Sequence, residues 1–232
     1  MEYNKKIIQL FLLPYAGGSS LSFMKLNRFL SPHIEAIAID YAGRGTRKNE
    51  PIIENYSVFC NDVINMIKTK RDDNLPFAIF GYSLGSVIAF DIISNNFFNN
   101  LRYCFFCAEG GLCHKNISRE YVLLDDTDFK KEILELGGID KRLLKNEREL
   151  FSQLKLIKAD FKILEQFRYN SSIVKCDASV IYGSNDTTCT NMDDWKILIN
   201  GTLDYYIFEE GHFFINKHFK EIANYINNKL AV

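Results

Sequence analysis

Six short apolar runs punctuate the chain, at Ile7 to Leu13, Ile34 to Ile39, Phe77 to Phe80, Tyr103 to Cys107, Ala178 to Tyr182 and Tyr205 to Phe208. Segments with helical spacing separate most of them: Ser22 to Leu30, Val58 to Ile67, Ser86 to Ile93 and Trp195 to Ile199. Strands that alternate with helices belong in a mainly parallel sheet covered by helices on both faces, because a parallel crossover has to travel back over the sheet. The pattern therefore predicts an α/β fold. The 232 residues fit one domain, 1–232, with a sizeable core.

One region breaks this rhythm. From about residue 112 to 172 no strand is evident, and the charged stretch that begins at Asp125 reads as several helices. Leu150, Leu154, Ile157, Phe161 and Leu164 step by four and three residues, which lines one face of a helix. Gly137-Gly138 would separate two such helices. A helical insertion between two strands can act as a lid over a site; the alternative is plain packing of its apolar face.

Composition excludes several function classes. Lys and Arg total 28 against 29 Asp and Glu, with no long block of one sign, so neither a nucleic-acid footprint nor a polybasic membrane anchor is present. The apolar run in MEYNKKIIQLFLL is too short to span a bilayer and has no A-x-A-like cleavage site after it. The expectation is a cytoplasmic protein, monomeric and without membrane association. Cys104 and Cys107 form C-x-x-C, but three residues apart on a strand their side chains leave on opposite faces. Cys60, Cys113, Cys176 and Cys189 lack ligand spacing and read as small buried residues or idle thiols, and no metal is expected.

The chemistry concentrates at Phe77 to Phe90, FAIFGYSLGSVIAF. Gly81-Tyr82-Ser83-Leu84-Gly85 is a G-x-S-x-G placed between a strand and a helix, the context in which a strained turn presents a serine hydroxyl. Serine is a weak nucleophile and needs a base and oxyanion donors. Of the four histidines, His33 precedes a strand, His114 opens the insertion and His218 lies in the last helix. His212, in FEEGHFFIN, follows a strand's carboxyl end, where parallel sheets gather their active sites, and is the expected base. In the order nucleophile, acid, histidine, Asp186 is the first acid beyond the Ala178–Tyr182 strand. Its rivals are Asp193 and Asp194, which read as helix caps before Trp195, and Asp177, which precedes the strand. The oxyanion donors are expected to be the backbone N–H groups of Leu84, directly after the nucleophile, and of Ala16 in the LPYAGGSS loop after the first strand.

Taken together, LLPYAGGSS, YAGRGTR (Tyr41 to Arg47), GYSLGS, LGGID (Leu136 to Asp140), LIKADFKILEQFRY with its Ala159-Asp160-Phe161, YGSNDTTC and EEGHFFI resemble the type II, or editing, thioesterases that accompany nonribosomal peptide and polyketide synthases. That family lies within the α/β-hydrolase fold, and the resemblance covers most of the chain. It implies hydrolysis of acyl, aminoacyl or peptidyl thioesters on the phosphopantetheine arm of carrier proteins, clearing misprimed or stalled modules, with no cofactor. Carried over, Ser83 is acylated, His212 is base and then acid, and Asp186 orients it. Two positions depart from the family pattern: Tyr82 stands where a histidine is frequent, and Ala42 where proline commonly precedes G-R-G. Competing readings are a small-molecule carboxylesterase or acyltransferase on the same scaffold, and a non-catalytic carrier-binding protein.

Overall fold

Every apolar run becomes a strand of one sheet. The computed structural model describes residues 5–96, 98–113, 121–139 and 145–231. His114, Asp140 and part of the expected insertion therefore lie outside the described residues. Strands β1 (Ile8–Leu13), β2 (Ile34–Ala38), β3 (Phe77–Tyr82), β4 (Leu101–Cys107), β5 (Asp177–Gly183) and β6 (Leu203–Phe208) stand in the order β2-β1-β3-β4-β5-β6. The pairings between them are all parallel. Parallel neighbours cannot be joined by hairpins, so crossovers carry the helices α1 (Met24–Asn27), α2 (Tyr56–Lys70), α3 (Leu84–Asn95), α4 (Asp126–Leu136), α5 (Glu147–Gln166) and α6 (Trp195–Leu198), with α7 (Ile215–Lys229) last.

Strand side chains alternate between two cores. Phe11, Leu13, Phe77, Ile79, Cys104, Phe106 and Val180 pack with Val63 and Ile67 of α2 and Val87 and Ile88 of α3. Leu10, Leu12, Ala78, Phe80, Phe105 and Cys107 face the other way, onto Leu26 of α1 and Ile222, Ala223 and Ile226 of α7. Because both faces are covered, β1 and β3 are buried along their whole length. Truncating a ring such as Phe80, fully buried, would cost about 3–5 kcal/mol. Cys104 and Cys107 separate onto opposite faces, as their spacing requires, and all six cysteines are free thiols.

The helix expected over Ser22 to Leu30 is shorter and differently built. A 3₁₀ turn at Ser20–Phe23 runs into a single α-helical turn at α1, since the chain must extend before Pro32 to enter β2. Asp193 and Asp194 do not cap α6 through their side chains. Asp194 is buried and its Oδ2 accepts the Cys113 N–H at 3.1 Å, while Asp193 pairs with Lys196 at 2.6 Å.

Between β4 and β5 lie α4 and α5. Asp125 caps α4 by accepting the Thr127 and Asp128 N–H groups at 2.9 Å, and Gly137 ends it at a left-handed φ of 82°. Asn146 caps α5. The apolar stripe read from the sequence is divided in two. Leu150 and Ile157 join Phe129 and Ile133 of α4 in a satellite cluster, whereas Leu164, with Ile163, enters the main core. One end of α5 is thus part of the body of the domain. Among the described residues no helix is long and apolar enough to cross a membrane.

Candidate active site

The carboxyl end of the sheet gathers the expected residues. Ser83 follows β3 directly, with φ 52° and ψ −114°, a conformation costing about 1–3 kcal/mol that only surrounding packing sustains. The close approach at this elbow excludes larger residues. A Cβ on Gly81 would sit 2.4 Å from the Gly85 carbonyl oxygen, and one on Gly85 would sit 2.1 Å from that of Leu13. Ser83 N–H donates to the Cys107 carbonyl at 2.8 Å. The buried Ser86 hydroxyl lies 2.9 Å from Gly81 O and 2.8 Å from Cys107 O and accepts the Cys107 N–H at 2.9 Å. These bonds hold the strained residue against β4.

Asp186 and His212 are brought together by two loops that pair after their strands end. Ser184 N–H donates to Phe208 O at 2.8 Å and Asn185 N–H to Glu210 O at 3.0 Å, extending the β5–β6 ladder beyond the sheet. His212 Nδ1 then lies 2.7 Å from Asp186 Oδ2. The other oxygen, Oδ1, accepts the Thr188 N–H at 2.9 Å and the Thr188 hydroxyl at 2.7 Å, and Cys189 Sγ donates to Oδ2 at 3.3 Å. Burial raises the Asp186 carboxyl, but the hydrogen bond and charge of His212 and the two Thr188 donors outweigh it and leave the group at about 2. An ionised carboxylate on Nδ1 fixes the imidazole with Nδ1 protonated and Nε2 free to accept a proton. The rival acids lie elsewhere: Asp177 accepts the Thr202 N–H at 2.7 Å at the opposite end of β5. His33 Nδ1 lies 3.1 Å from Lys5 O, and His218 pairs with Glu221 at 3.1 Å.

Tyr82, the departure noted before the serine, links the two halves of the site. Its hydroxyl donates to the His212 carbonyl at 2.5 Å and lies 3.5 Å from the Ile215 N–H. The ring is fully buried, stacks on Phe213 and meets the His212 imidazole edge-on with centroids 6.2 Å apart. Burial pushes its phenol far up, so it remains a donor. Tyr15 closes the group, edge-on to both Tyr82 and Phe213.

On the other side of the serine is the loop after β1. Gly18 N–H donates to Tyr15 O at 2.8 Å, so Tyr15 to Gly18 form a turn with Gly17 at φ 75°. Among the described residues neither the Ala16 nor the Leu84 N–H donates to a protein acceptor. Leu84 is the first residue of α3, whose amino-terminal dipole favours negative charge there. Asp40 ties this loop to the YAGRGTR segment. It accepts the Ser20 N–H at 2.6 Å and hydroxyl at 3.1 Å, and the Thr46 N–H at 2.9 Å and hydroxyl at 2.8 Å. Its burial raises the carboxyl, and those four donors reverse the shift and lower it.

Sequence reasoning missed the contacts of Tyr82 and Thr188, and those of Asp160, which accepts the Gly17 N–H of the β1 loop at 2.6 Å. A signal existed for each of the last two. Thr188 stands two residues after an aspartate, the spacing of an Asx turn. Asp160 interrupts an apolar helical face, three residues after Ile157, and a carboxylate there must find partners.

Comparison with known proteins identifies the family and the fold. A family model described as a thioesterase domain matches residues 8–95 and 113–230. The chain is 27% identical to thioesterase PikA5 of Streptomyces venezuelae, over 97% of this chain and 82% of that protein. Among solved structures, ClbQ from the colibactin NRPS/PKS pathway superposes with a TM-score of 0.90 at 25% identity, covering 97% of this chain and 98% of ClbQ. The type II thioesterase BorB from the borrelidin biosynthetic cluster superposes with a TM-score of 0.86 at 23% identity, covering 99% and 96%. The chain belongs to the thioesterase family and has the α/β-hydrolase-like fold of the solved type II thioesterases.

Proposed function

We propose that this thioesterase hydrolyses acyl thioesters held on the phosphopantetheine arm of carrier proteins, releasing misprimed or stalled acyl groups through an acyl-Ser83 intermediate. The observation that carries the reading is the Asp186–His212 pair at 2.7 Å, on loops at the same sheet end as the Ser83 elbow. A thioesterase with NRPS/PKS relatives meets acyl groups chiefly as carrier-bound thioesters, which supports this substrate over free esters. The insertion of α4 and α5, about residues 112–172, is assigned as the lid over the acyl group.

Ser83 Oγ attacks the thioester carbonyl carbon while its proton passes to His212 Nε2. Charge develops on the carbonyl oxygen, which the Ala16 and Leu84 N–H groups receive. The tetrahedral intermediate breaks its C–S bond, and His212 returns the proton to the departing thiolate sulfur. Water then attacks the acyl-serine with His212 as base, the C–O bond to Ser83 breaks, and the free acid leaves with the serine hydroxyl restored. Asp186 remains ionised throughout and stabilises the imidazolium formed in each half-reaction. No step calls on a metal or cofactor.

The test is incubation with a panel of acyl-loaded carrier proteins, following loss of the acyl mass by intact-protein mass spectrometry. Ser83→Ala is expected to abolish hydrolysis with the fold and carrier binding intact. Intact turnover in that variant rules the mechanism out; brisk cleavage of free esters with carrier-bound acyl groups untouched favours the esterase reading instead.

A further inference from the structure

The loop that carries Ala16 is gripped by the insertion itself. Asp160, in the middle of α5 and wholly buried, accepts the Gly17 N–H through Oδ2 at 2.6 Å. Its two oxygens also receive both terminal nitrogens of Arg44, with Nη2 to Oδ1 at 2.7 Å and Nη1 to Oδ2. Arg44 is itself 5% exposed and lies over the Tyr41 ring at 5.3 Å. One turn before Ile157, on the same helix face, Gln153 Nε2 donates to the Gly17 carbonyl at 2.7 Å. The helix surface is pressed so closely on this residue that a Cβ on Gly17 would lie 2.4 Å from Ile157 Cγ1.

A buried ion pair does little for stability by itself, since apolar replacements of similar volume commonly do as well. What an apolar side chain could not do here is accept the Gly17 N–H, and an orphaned buried amide is costly. The bond matters because of what it orients. In a trans peptide the N–H points opposite the preceding carbonyl. Tyr15 O faces into its turn, toward Gly18 N–H, so the Ala16 N–H faces out of it; the tilt of that N–H follows the tilt of the turn. Asp160 and Gln153 hold the turn at Gly17 from both its N–H and its C=O.

We propose that Asp160, braced by Arg44 and assisted by Gln153, is a positioning residue that aims the Ala16 amide at the reacting carbonyl oxygen, so that α5 is a fixed wall of the oxyanion site. The proposal rests on the triad reading above, and goes further in making one helix of the insertion part of the catalytic scaffold. Any opening of the lid then takes place outside the Gln153–Asp160 stretch.

The test uses Asp160→Asn and Gln153→Leu in the full chain, assayed with an acyl thioester and with an alkyl trifluoromethyl ketone, whose serine adduct places an oxyanion in the same position. Displacing one oxyanion donor by a fraction of an ångström is expected to cost about 10- to 100-fold in kcat, with a parallel rise in the inhibition constant of the ketone and KM within about threefold. Gln153→Leu moves the same two quantities less, by about 3- to 10-fold. If Asp160→Asn does not fold, Gln153→Leu decides alone, because Gln153 is only half-buried and stands outside the ion pair. Unchanged ketone affinity in the folded variants, or a loss confined to KM or thermal midpoint, overturns the proposal. Ser83→Ala separates the two levels: activity surviving there sinks the triad reading, whereas a dead Ser83→Ala with wild-type ketone affinity in Asp160→Asn and Gln153→Leu sinks only the positioning role.

Discussion

Replacing Asp186 by asparagine removes one charge and almost no volume, and the hydrogen-bond inventory around it dictates the outcome. Asp186 Oδ1 accepts two bonds from Thr188, one from its backbone N–H, and Oδ2 accepts the His212 Nδ1–H. Asparagine keeps a single oxygen. Turned toward Thr188, it satisfies the buried amide but presents its NH₂ to His212, so Nδ1 must become the acceptor and Nε2 carries the proton. That tautomer cannot deprotonate Ser83. Turned the other way, the side chain restores the useful tautomer but orphans the Thr188 N–H, at about 1–3 kcal/mol. In either orientation the imidazolium loses a charge-assisted bond worth about 1.5–3 kcal/mol. The carboxyl's displacement from 3.8 to about 2, equivalent to about 2 kcal/mol, is of the same size. Summed, the barrier rises by about 2.5–6 kcal/mol, a loss of about 70- to 25,000-fold in kcat/KM. The assay is thiol release from an acyl thioester, accompanied by the ¹⁵N shifts of His212, which should report Nδ1–H in the wild type and Nε2–H in the variant. Activity within tenfold of wild type, or an unchanged tautomer, refutes the reasoning.

Two further outcomes follow from the same site. Tyr82→Phe retains the ring stack but deletes the donor to the His212 carbonyl; kcat should fall by about 5- to 30-fold with KM little changed, corresponding to one hydrogen bond of about 1–2 kcal/mol, and an unaltered kcat would show that packing alone holds the loop. The depressed Asp186 carboxyl stabilises the folded state above the unfolded pKa near 3.8, and this stabilisation is lost as pH falls through about 2. Urea unfolding between pH 5 and 2 should therefore show the wild type losing about 2 kcal/mol more than Asp186→Asn, and parallel acid profiles for the two proteins would contradict that linkage.

Much of this molecule is written in short stretches of chain. Strands β1 and β3, buried along their whole length, and β4 and β5, buried over most of theirs, were legible because they read as mainly apolar runs, a local property of six or seven residues. Ser83 was legible because the close backbone approaches at the elbow need glycine at the two flanking places, Gly81 and Gly85. Asp186 and His212 could be chosen among their rivals because each follows a strand's carboxyl end, where topology alone collects loops from a parallel sheet. Local reading was weaker where short helices met the surface, as at Ser22 to Leu30, since a few apolar residues at helical spacing fit a 3₁₀ turn as well.

What tertiary structure decided is the second layer of contacts, made between segments more than a hundred residues apart. Tyr82 and His212 are separated by 130 positions, Arg44 and Asp160 by 116, and Gly17 and Asp160 by 143. A tyrosine before a serine, or an aspartate on an apolar helix face, announces only that a buried polar group needs a partner. Which partner answers depends on how α5, the β1 loop and the His212 loop come to rest on one another, and that arrangement is set by packing of whole faces rather than by any run of residues. The order of the residues determined which groups could do the chemistry; the folded body determined which way they point.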